Sequence, residues 1–135
     1  MAHWQQLTEF IVRLPHRAGE LARLAAQLRA ANVELISCFG PTEGKSADGF
    51  HLIPADPGRF RSFASQNGLE TWEESCFHLS DAYHDGDLAA RLDQIAGAGI
   101  NIQFASALEA GGQFGLMIWV DDDDVDRLAR LLGAS

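Results

Sequence analysis

The densest cluster of chemically capable side chains is the acidic run Asp121-Asp122-Asp123-Asp124. Four adjacent carboxylates could bind a divalent cation, because hard cations prefer oxygen ligands. A calcium loop spaces its ligands around a central glycine and ends in a distal glutamate, and this run has neither feature. Carboxylates also favour the first turn of a helix, where they accept hydrogen bonds from free N–H groups. The run is therefore predicted to begin a helix, with a cation site as the alternative.

Histidines and cysteines are the other candidate metal ligands or catalytic groups. The five histidines are scattered without an HExxH or HxH pair, so a metal site would need distant ligands such as His51 and His78. Cys38 and Cys76 do not form a CxxC pair and have no base nearby in the sequence, so buried and unreactive thiols are expected. Neither a GxSxG nucleophile motif nor a GxxxxGK[ST] phosphate loop occurs. The sequence therefore predicts no catalytic residue, no metal ligand and no cofactor.

A glycine-containing turn occurs twice, each time just before a helical pattern. The first reads LPHRAGEL over residues 14–21, and the second reads DAYHDGDL over residues 81–88. A glycine at the start of a helix lets a ligand approach the free backbone N–H groups, and these groups suit a carboxylate. The same glycine is also what a tight turn requires without any ligand. Both interpretations are open from the residues alone.

The two turns belong to an internal repeat that covers most of the chain. Residues 10–39 match residues 77–106 at an offset of 67, with six identities and a shared pattern of apolar positions. The match resumes at an offset of 65, where residues 52–68 meet residues 117–133. The two missing residues fall in a connecting loop, which tolerates them. We therefore interpret the chain as two copies of one unit.

Each copy has the pattern strand, helix, strand, strand, helix. Alternation of apolar and polar side chains predicts the strands, and apolar residues three and four apart predict the helices. A loop is expected over residues 40–49, and residues 70–79 are expected to be extended and to join the copies without a linker. The predicted elements of the first copy are strands over 8–14, 33–39 and 50–55, a helix with apolar residues at 21, 24, 25 and 28, and a helix opened by Asp56 and Pro57 and ended by Gly68.

A complete unit of this kind needs a fourth strand after its second helix. Copy one has this strand in residues 69–74, whereas the match of copy two stops just past its helix. Because HWQQ near the start of the chain resembles TWEE at residues 71–74, residues 3–7 are predicted to supply the fourth strand of copy two. A frayed terminus or donation of the strand to a second chain are the alternatives. The predicted domains are residues 1–74 and residues 75–135, with residues 3–7 completing the second sheet.

Composition limits the possible partners. The 135 residues are 47% apolar, which fits one ordinary domain or two very small ones. The formal net charge of −9 disfavours binding to nucleic-acid phosphates and to anionic membranes. Residues 1–69 carry seven basic and six acidic side chains, and residues 70–135 carry three basic and thirteen acidic ones. With no membrane span or signal peptide in view, a soluble protein of the reducing cytoplasm is expected.

The sequence around the turns resembles the ACT domain. The hallmark of that family is a strand, a turn like D-R-P-G-x-L, a helix, and a G-x-N-I that opens the second strand. Gly19-Glu20-Leu21 and Gly86-Asp87-Leu88 match the turn, and Gly99-Ile100-Asn101-Ile102 matches the G-x-N-I. The resemblance covers nearly the whole chain, as in small stand-alone tandem-ACT proteins. It implies an α+β fold of two ferredoxin-like βαββαβ units, each with an antiparallel sheet and helices on one face.

The resemblance also implies a ligand site. ACT domains typically bind amino acids through the backbone of the turn, a polar side chain three residues before its glycine, and the asparagine of G-x-N-I. Here the first polar position holds His16 and Tyr83 in place of the usual Asn or Asp, and the second holds Glu34 and Asn101. Glu34 or Asp81 would accept the ammonium of the ligand. The implied site residues are His16, Arg17, Ala18, Gly19, Glu34, Asp81, Tyr83, His84, Asp85, Gly86 and Asn101.

Three functions follow as hypotheses. The leading one is a non-catalytic amino-acid sensor, a homodimer that binds its ligand at the interface of two ACT domains and regulates a metabolic enzyme. The first alternative is a ligand-free interaction module that binds a partner enzyme, and the second is a small metal-dependent enzyme. Because Arg17 stands beside the first turn glycine and Asp85 beside the second, the halves should differ, and one ligand per chain is expected.

Overall fold

The computed structural model describes residues 3–15, 17–42, 49–82, 84 and 86–135, with the backbone alone at 41 and 42. None of the described helices is long and apolar enough to cross a membrane. A short 3₁₀ turn, Asp122–Asp124, precedes the last helix. In chain order the elements are β1 (His3–Arg13), α1 (Glu20–Ala30), β2 (Leu35–Thr42), β3 (Gly49–Pro54), α2 (Pro57–Gln66), β4 (Thr71–Ala82), α3 (Asp87–Gly97), β5 (Ile102–Ala110), β6 (Gln113–Val120) and α4 (Val125–Leu132).

The chain forms two compact units. The first unit is Thr8–Glu74, and the second combines residues 3–7 with Ser75–Ser135. The strand order is β2-β3-β1-β4 in the first unit and β1-β4-β6-β5 in the second, because β1 and β4 each contribute one part to each unit. The pairs β1·β3, β2·β3, β4·β6 and β5·β6 are antiparallel. The α+β fold with two ferredoxin-like layouts is thereby confirmed.

Strand alternation places the core of the first unit between its sheet and its helices. Phe10 and Val12 on β1 are fully buried, and the ring of Phe10 lies 4.4 Å from that of Phe60 on α2. Burying side chains of this size stabilises a fold by about 1.5–3 kcal/mol each. The residues of this core are Phe10, Val12, Leu14, Leu24, Leu28, Val33, Leu52, Phe60, Phe63 and Ala64.

The core of the second unit includes a residue from the beginning of β1. Trp4 is 5% exposed and belongs to the same core as Phe77, Leu116 and Leu128. The backbone N–H of Ser135 donates to the carbonyl of Trp4 at 3.3 Å, and the N–H of Gln6 donates to the carbonyl of Ser135 at 3.0 Å. Residues 3–7 therefore lie in the second unit as the first part of a continuous strand.

α2 follows the strands β2 and β3, α4 follows the strands β5 and β6, and the two helices begin in different ways. Asp56 caps α2, since its Oδ1 accepts a hydrogen bond from the N–H of Arg59 at 3.1 Å, as predicted. The aspartate run was expected to cap α4 by side chains, and this is wrong. The N–H of Asp124 donates to the backbone carbonyl of Asp121 at 2.8 Å, so a 3₁₀ turn satisfies the main chain there. The carboxylate of Asp121 instead accepts a hydrogen bond from the side chain of Gln103.

The second strand of the first unit is longer than expected. β2 continues to Thr42, and β3 begins at Gly49, so pairing extends into the predicted loop. Residues 43–48 lie outside the described residues. Turn-type residues in the sequence suggested an earlier end, but after a register shift between Phe39 and Thr42 the strand pairs again with β3, at Thr42 opposite Gly49. The elements that flank the glycine turns, β1 with α1 and β4 with α3, agree with the prediction.

Candidate functional site

The first glycine turn opens α1 without a side-chain cap. Gly19 occupies the left-handed region at φ 88°, a conformation that glycine adopts without steric cost. The N–H of Arg17 donates to the carbonyl of Pro15 at 2.9 Å, and that of Arg23 donates to the carbonyl of Gly19 at 2.9 Å. The N–H of Glu20 donates to the carbonyl of Arg17 at 3.4 Å. Gly19, the N-cap, supplies no side-chain acceptor, so the N–H groups that follow Glu20 lack a cap from that position and suit an anionic group.

The second glycine turn repeats this geometry at the start of α3. Gly86 has φ 84°, and its helix also begins without a side-chain cap. The N–H of Asp87 donates to the carbonyl of His84 at 3.2 Å, and that of Ala90 donates to the carbonyl of Gly86 at 3.1 Å. The internal repeat thus extends to the backbone conformation of the turns.

The charges at the first turn differ from those at the second. The guanidinium of Arg17 contacts the carboxylate of Glu20 at 3.0 Å. The Arg17 side chain is 70% exposed, so the pair contributes little to stability. A guanidinium has five N–H donors, and the pair with Glu20 uses one nitrogen. Arg17 can therefore also approach a ligand carboxylate at this turn. Ala18, beside it, is exposed.

The second turn carries a carboxylate that the sequence-based prediction of the site omitted. One carboxylate oxygen of Asp87, Oδ2, is buried and has no hydrogen-bond partner among the residues that the structure describes. Asp87 fills the variable position of the G-x-L motif, where the first unit has Glu20. That shared acidic character was the signal in the sequence. Nearby in the chain, Asp81 accepts a hydrogen bond from the N–H of Ala82 at 2.8 Å and lies 3.7 Å from Arg91.

The G-x-N-I positions lie at the far end of each unit's first helix from the turns. α1 has 11 residues and is therefore about 16 Å long, with Gly19 before its first residue and Glu34 beyond its last. α3 has the same length and likewise separates Gly86 from Asn101. Glu34 and Asn101 are both exposed. Within one unit the structure therefore does not bring the turn and the second polar position together, and a ligand held by both would need groups from outside that unit.

Two clefts flank Glu34 at this far end of the first unit. One, of about 480 Å³, lies between α1 and the start of β2 and includes Leu28 and Arg29. The other, of about 390 Å³, lies toward α2 and includes Asp56 and Arg59. They are small open depressions and are separate from the glycine turn. Three predicted site residues, His16, Tyr83 and Asp85, lie outside the described residues.

A buried histidine–carboxylate pair lies in the sheet of the first unit, and the sequence-based prediction missed it. Glu9 on β1 is fully buried, and its carboxylate contacts Nδ1 of His51 on β3. The ring of Phe39 on β2 stacks on the imidazole at 4.6 Å between centroids. Burial lowers the pKa of His51. The sequence offered little sign of this pair, because its recognition needs the register of β1 against β3. In that register Ile11 pairs with His51, and Glu9, two residues before Ile11, lies on the same face of the sheet.

The residues that the structure describes hold no metal-binding cluster, and the two cysteines differ in exposure. Among the described residues, no three or more His, Cys, Asp or Glu side chains are grouped so that they could hold a metal ion. Cys76 is buried, as expected. Cys38 was also expected to be buried, and this is wrong, because it lies on β2, the edge strand of the first unit. Partial burial nonetheless raises the pKa of the Cys38 thiol, which disfavours the reactive thiolate.

Comparison with known proteins establishes the fold. No protein-family model matches the chain, and no curated protein matches it. Among solved structures it is similar to protein BT0572 from Bacteroides thetaiotaomicron, at 17% identity over 98% of this chain and 88% of that one, with a TM-score of 0.70.

Two further similar structures are named as parts of aspartokinase or aspartate kinase. The α and β subunits of an aspartokinase match at 19% identity over 97% of this chain and 93% of that one, with a TM-score of 0.62. The regulatory subunit of aspartate kinase from Thermus thermophilus, in a ligand-free form, matches at 12% identity over 98% and 94%, with a TM-score of 0.60. At these identities the likeness shows a shared two-unit α+β fold.

Proposed function

We propose that this chain is a non-catalytic regulatory protein of the ACT type that senses an amino acid. The observation that carries the proposal is the pair of helices that open on a left-handed glycine without a side-chain cap. Free N–H groups at a helix N-terminus favour a carboxylate. The solved structures of similar fold include one named as a regulatory subunit of aspartate kinase, which supports a regulatory role.

The ligand carboxylate binds at the first turn in this proposal. The N–H groups after Gly19 and the guanidinium of Arg17 together complement a carboxylate. The ammonium of the ligand requires an acceptor, and Glu34 and Asp81 remain the candidates. Asn101 supplies a further polar contact. In the first unit Glu34 lies far from the glycine turn, and in the second unit Asn101 does. Groups from outside a unit therefore complete its site in this proposal.

The proposed partner is a metabolic enzyme whose activity follows the ligand concentration, with the sensor itself a homodimer. An amino acid shifts the equilibrium between two states of such a protein only if it binds one state more tightly than the other. A ligand that binds at the turns would stabilise the helix N-termini and hence one arrangement of the chain. Nucleic acids and anionic membranes remain unsuitable partners for a chain of net charge −9.

A thermal-shift screen with the twenty amino acids tests the proposal. A ligand at one hundred times its dissociation constant stabilises the folded state by about 2.7 kcal/mol. Arg17→Gln should weaken binding of that ligand several-fold, because it removes the positive charge beside the turn. Arg130→Gln, at an exposed position of α4, makes the same charge change outside the proposed site residues and should bind like the parent. A screen in which no amino acid raises the melting temperature would contradict the proposal.

A ligand-free interaction module is the second candidate function, and one observation favours it. The edge strand β5 is exposed along most of its length, which is typical of a surface that meets another protein. Purification without added amino acids discriminates the two functions. An unchanged melting temperature with every amino acid, together with co-purification of an enzyme, would favour the interaction module.

A further inference from the structure

The carboxylate in the variable position of the G-x-L motif is paired in the first unit and differs in the second. In the first unit this residue is Glu20, whose Oε1 accepts a hydrogen bond from the guanidinium of Arg17 at 3.0 Å. In the second unit it is Asp87, whose Oδ2 is buried and has no hydrogen-bond partner within the described part of the chain. A buried carboxylate oxygen without a donor is costly, and a bound cation is one way to satisfy it.

The internal repeat shows which group satisfies this carboxylate in the first unit. Residues 67 positions apart correspond in the two units, so His84 stands where the first unit has Arg17. A guanidinium is always charged and has five N–H donors, whereas a neutral imidazole has one. The two turns have the same left-handed glycine and the same uncapped helix start. The chain therefore supplies a cation to the carboxylate of the first turn and leaves Oδ2 of Asp87 without one.

Two further charged residues of the second unit stand where the first unit is apolar. Leu14 and Leu24 are buried in the core of the first unit, and the corresponding residues of the second are Asp81 and Arg91. Arg91 lies one helical turn after Asp87 on the same face of α3. Its guanidinium is 3.7 Å from the carboxylate of Asp81, and the two side chains are 27% and 23% exposed. Because Arg91 offsets one of the two carboxylates, the three side chains have a formal net charge of about −1.

We propose that the cluster of Asp81, Asp87 and Arg91 is a binding site for a small primary amine. The ammonium group donates to Oδ2 of Asp87, as the guanidinium of Arg17 donates to Glu20 in the first unit. An ammonium has three N–H donors and no acceptor, and hydrogen bonds between charged groups are the strong ones. Asp87 as a whole is partly exposed, and rotation of its carboxylate brings Oδ2 toward the surface, where the ligand reaches it.

Charge favours an amine over a carboxylate or a divalent metal at this turn. Residues 70–135 carry thirteen acidic and three basic side chains, so their field attracts cations and repels anions. A metal ion would need more ligands, and the described residues contain no group of three His, Cys, Asp or Glu side chains that could hold one. Amine binding does not depend on amino-acid sensing, because an amine without a carboxylate has no group for the first turn.

A titration of the whole chain with methylammonium chloride at constant ionic strength tests the site. The NMR shifts of the backbone amides of Asp87 and Leu88 should change and saturate. Asp87→Asn should weaken binding about tenfold or more, because it removes the charge and keeps the shape. Asp93→Asn makes the same change at an exposed residue of α3 and should bind like the parent. Tetramethylammonium has the charge without an N–H donor and should bind much more weakly.

The variant His84→Arg tests the correspondence between the two turns. It gives the second turn the cation of the first, so it should abolish methylammonium binding and raise the melting temperature. Ala96→Arg adds the same charge at an exposed position on the opposite side of α3 and should still bind methylammonium. Shifts that do not saturate, equal binding of the two ammonium ions, or full binding by Asp87→Asn or His84→Arg would overturn the proposal. Amino-acid sensing has its own thermal-shift measurement, so its failure is distinguishable from a failure of amine binding.

Discussion

Gly86 and Gly97 stand at the two ends of α3 and differ in backbone conformation. Gly86 has a positive φ, whereas Gly97 is helical, and a Cβ at either position would meet no atom of the described residues within 4 Å. Gly86→Ala should therefore destabilise the protein by about 1–2 kcal/mol, through the left-handed backbone alone. Gly97→Ala should stabilise it by about 0.5–1 kcal/mol, because alanine favours the helix. Urea unfolding measures both, and two changes of the same sign would contradict the assignment.

His78 makes the stability of the protein dependent on pH. It is half-buried on β4, and burial lowers its pKa below the ordinary value of 6.5. The unfolded chain therefore binds a proton at a higher pH than the folded one, and acidification below 6.5 favours unfolding. The stability is fully present above that pH.

The variant His78→Gln measures how much of this dependence of stability on pH comes from His78. Because glutamine does not titrate, the fall in unfolding free energy below pH 6.5 should be smaller in the variant than in the parent. His51 and Glu73 act in the same direction on the part that remains, since burial lowers the pKa of His51 and the hydrogen bond from Arg61 lowers the pKa of Glu73. Urea unfolding over a pH series checks this, and identical profiles for parent and variant would exclude a role for His78.

At the residue scale, the conformation of the turns could be predicted and the pair of Glu9 and His51 could not. A glycine between a strand pattern and a helix pattern points to a left-handed turn by local rules, and Gly19 and Gly86 follow them. Glu9 and His51 are 42 residues apart, and their contact depends on the strand register. Register follows from packing of the whole sheet, which no short stretch of sequence specifies.

At the scale of elements, Trp4 and Trp72 occupy matching positions with different burial. Trp4 is 5% exposed in the core of the second unit, whereas Trp72 is 41% exposed and lies under the guanidinium of Arg13 at 5.3 Å. Trp4→Ala should cost about 3–5 kcal/mol. Trp72→Ala should cost about 1 kcal/mol or less, the worth of an exposed cation–π contact.

Hydrogen exchange locates the effect of the same pair of variants. Trp4→Ala should reduce protection in β6, which belongs to the same unit, and deletion of residues 1–7 should do the same. Trp72→Ala should leave β6 unchanged. A deletion variant that melts like the parent, with unchanged exchange in β6, would mean that residues 3–7 do not contribute to the second unit.

The two hairpin-to-helix junctions offer a matched test of capping. Asp56→Ala removes the acceptor for the N–H of Arg59 and should cost about 1 kcal/mol. Asp121→Ala should cost clearly less, because the 3₁₀ turn satisfies the main chain and the lost partner is the exposed Gln103. Thermal melting compares the two variants. Equal losses would mean that the aspartate run caps α4 after all.

The elements themselves were largely predictable because their apolar periodicity is strong. Alternation in β1 and spacing in α1 reflect burial on one face, which is local information. The exposure of Cys38 and the length of β2 were not predictable, since both depend on which strand ends the sheet. Position in a sheet is a property of topology, and apolar pattern alone does not encode it.

At the scale of the whole molecule, the two halves of the chain have the same order of strands and helices but differ in charge. Residues 1–69 are nearly neutral, whereas residues 70–135 hold thirteen of the acidic side chains. A carboxylate ligand should therefore prefer the turn beside Arg17, and we expect one ligand per chain. Calorimetry with an amino acid identified by thermal shift measures the stoichiometry. Two equal sites per chain would show that the charge difference does not act on binding.

The sharing of β1 and β4 between the units has a consequence for the order of folding. The first unit is contiguous in sequence and can be complete while later residues are still being synthesised. The second unit must join His3 to Ser135 across 132 positions, and the entropy of closing so long a loop slows that step. Because β1 is one continuous strand, formation of the first unit leaves residues 3–7 extended from an already ordered segment. We therefore expect the first unit to fold before the second, which then forms on residues 3–7 as an already extended strand.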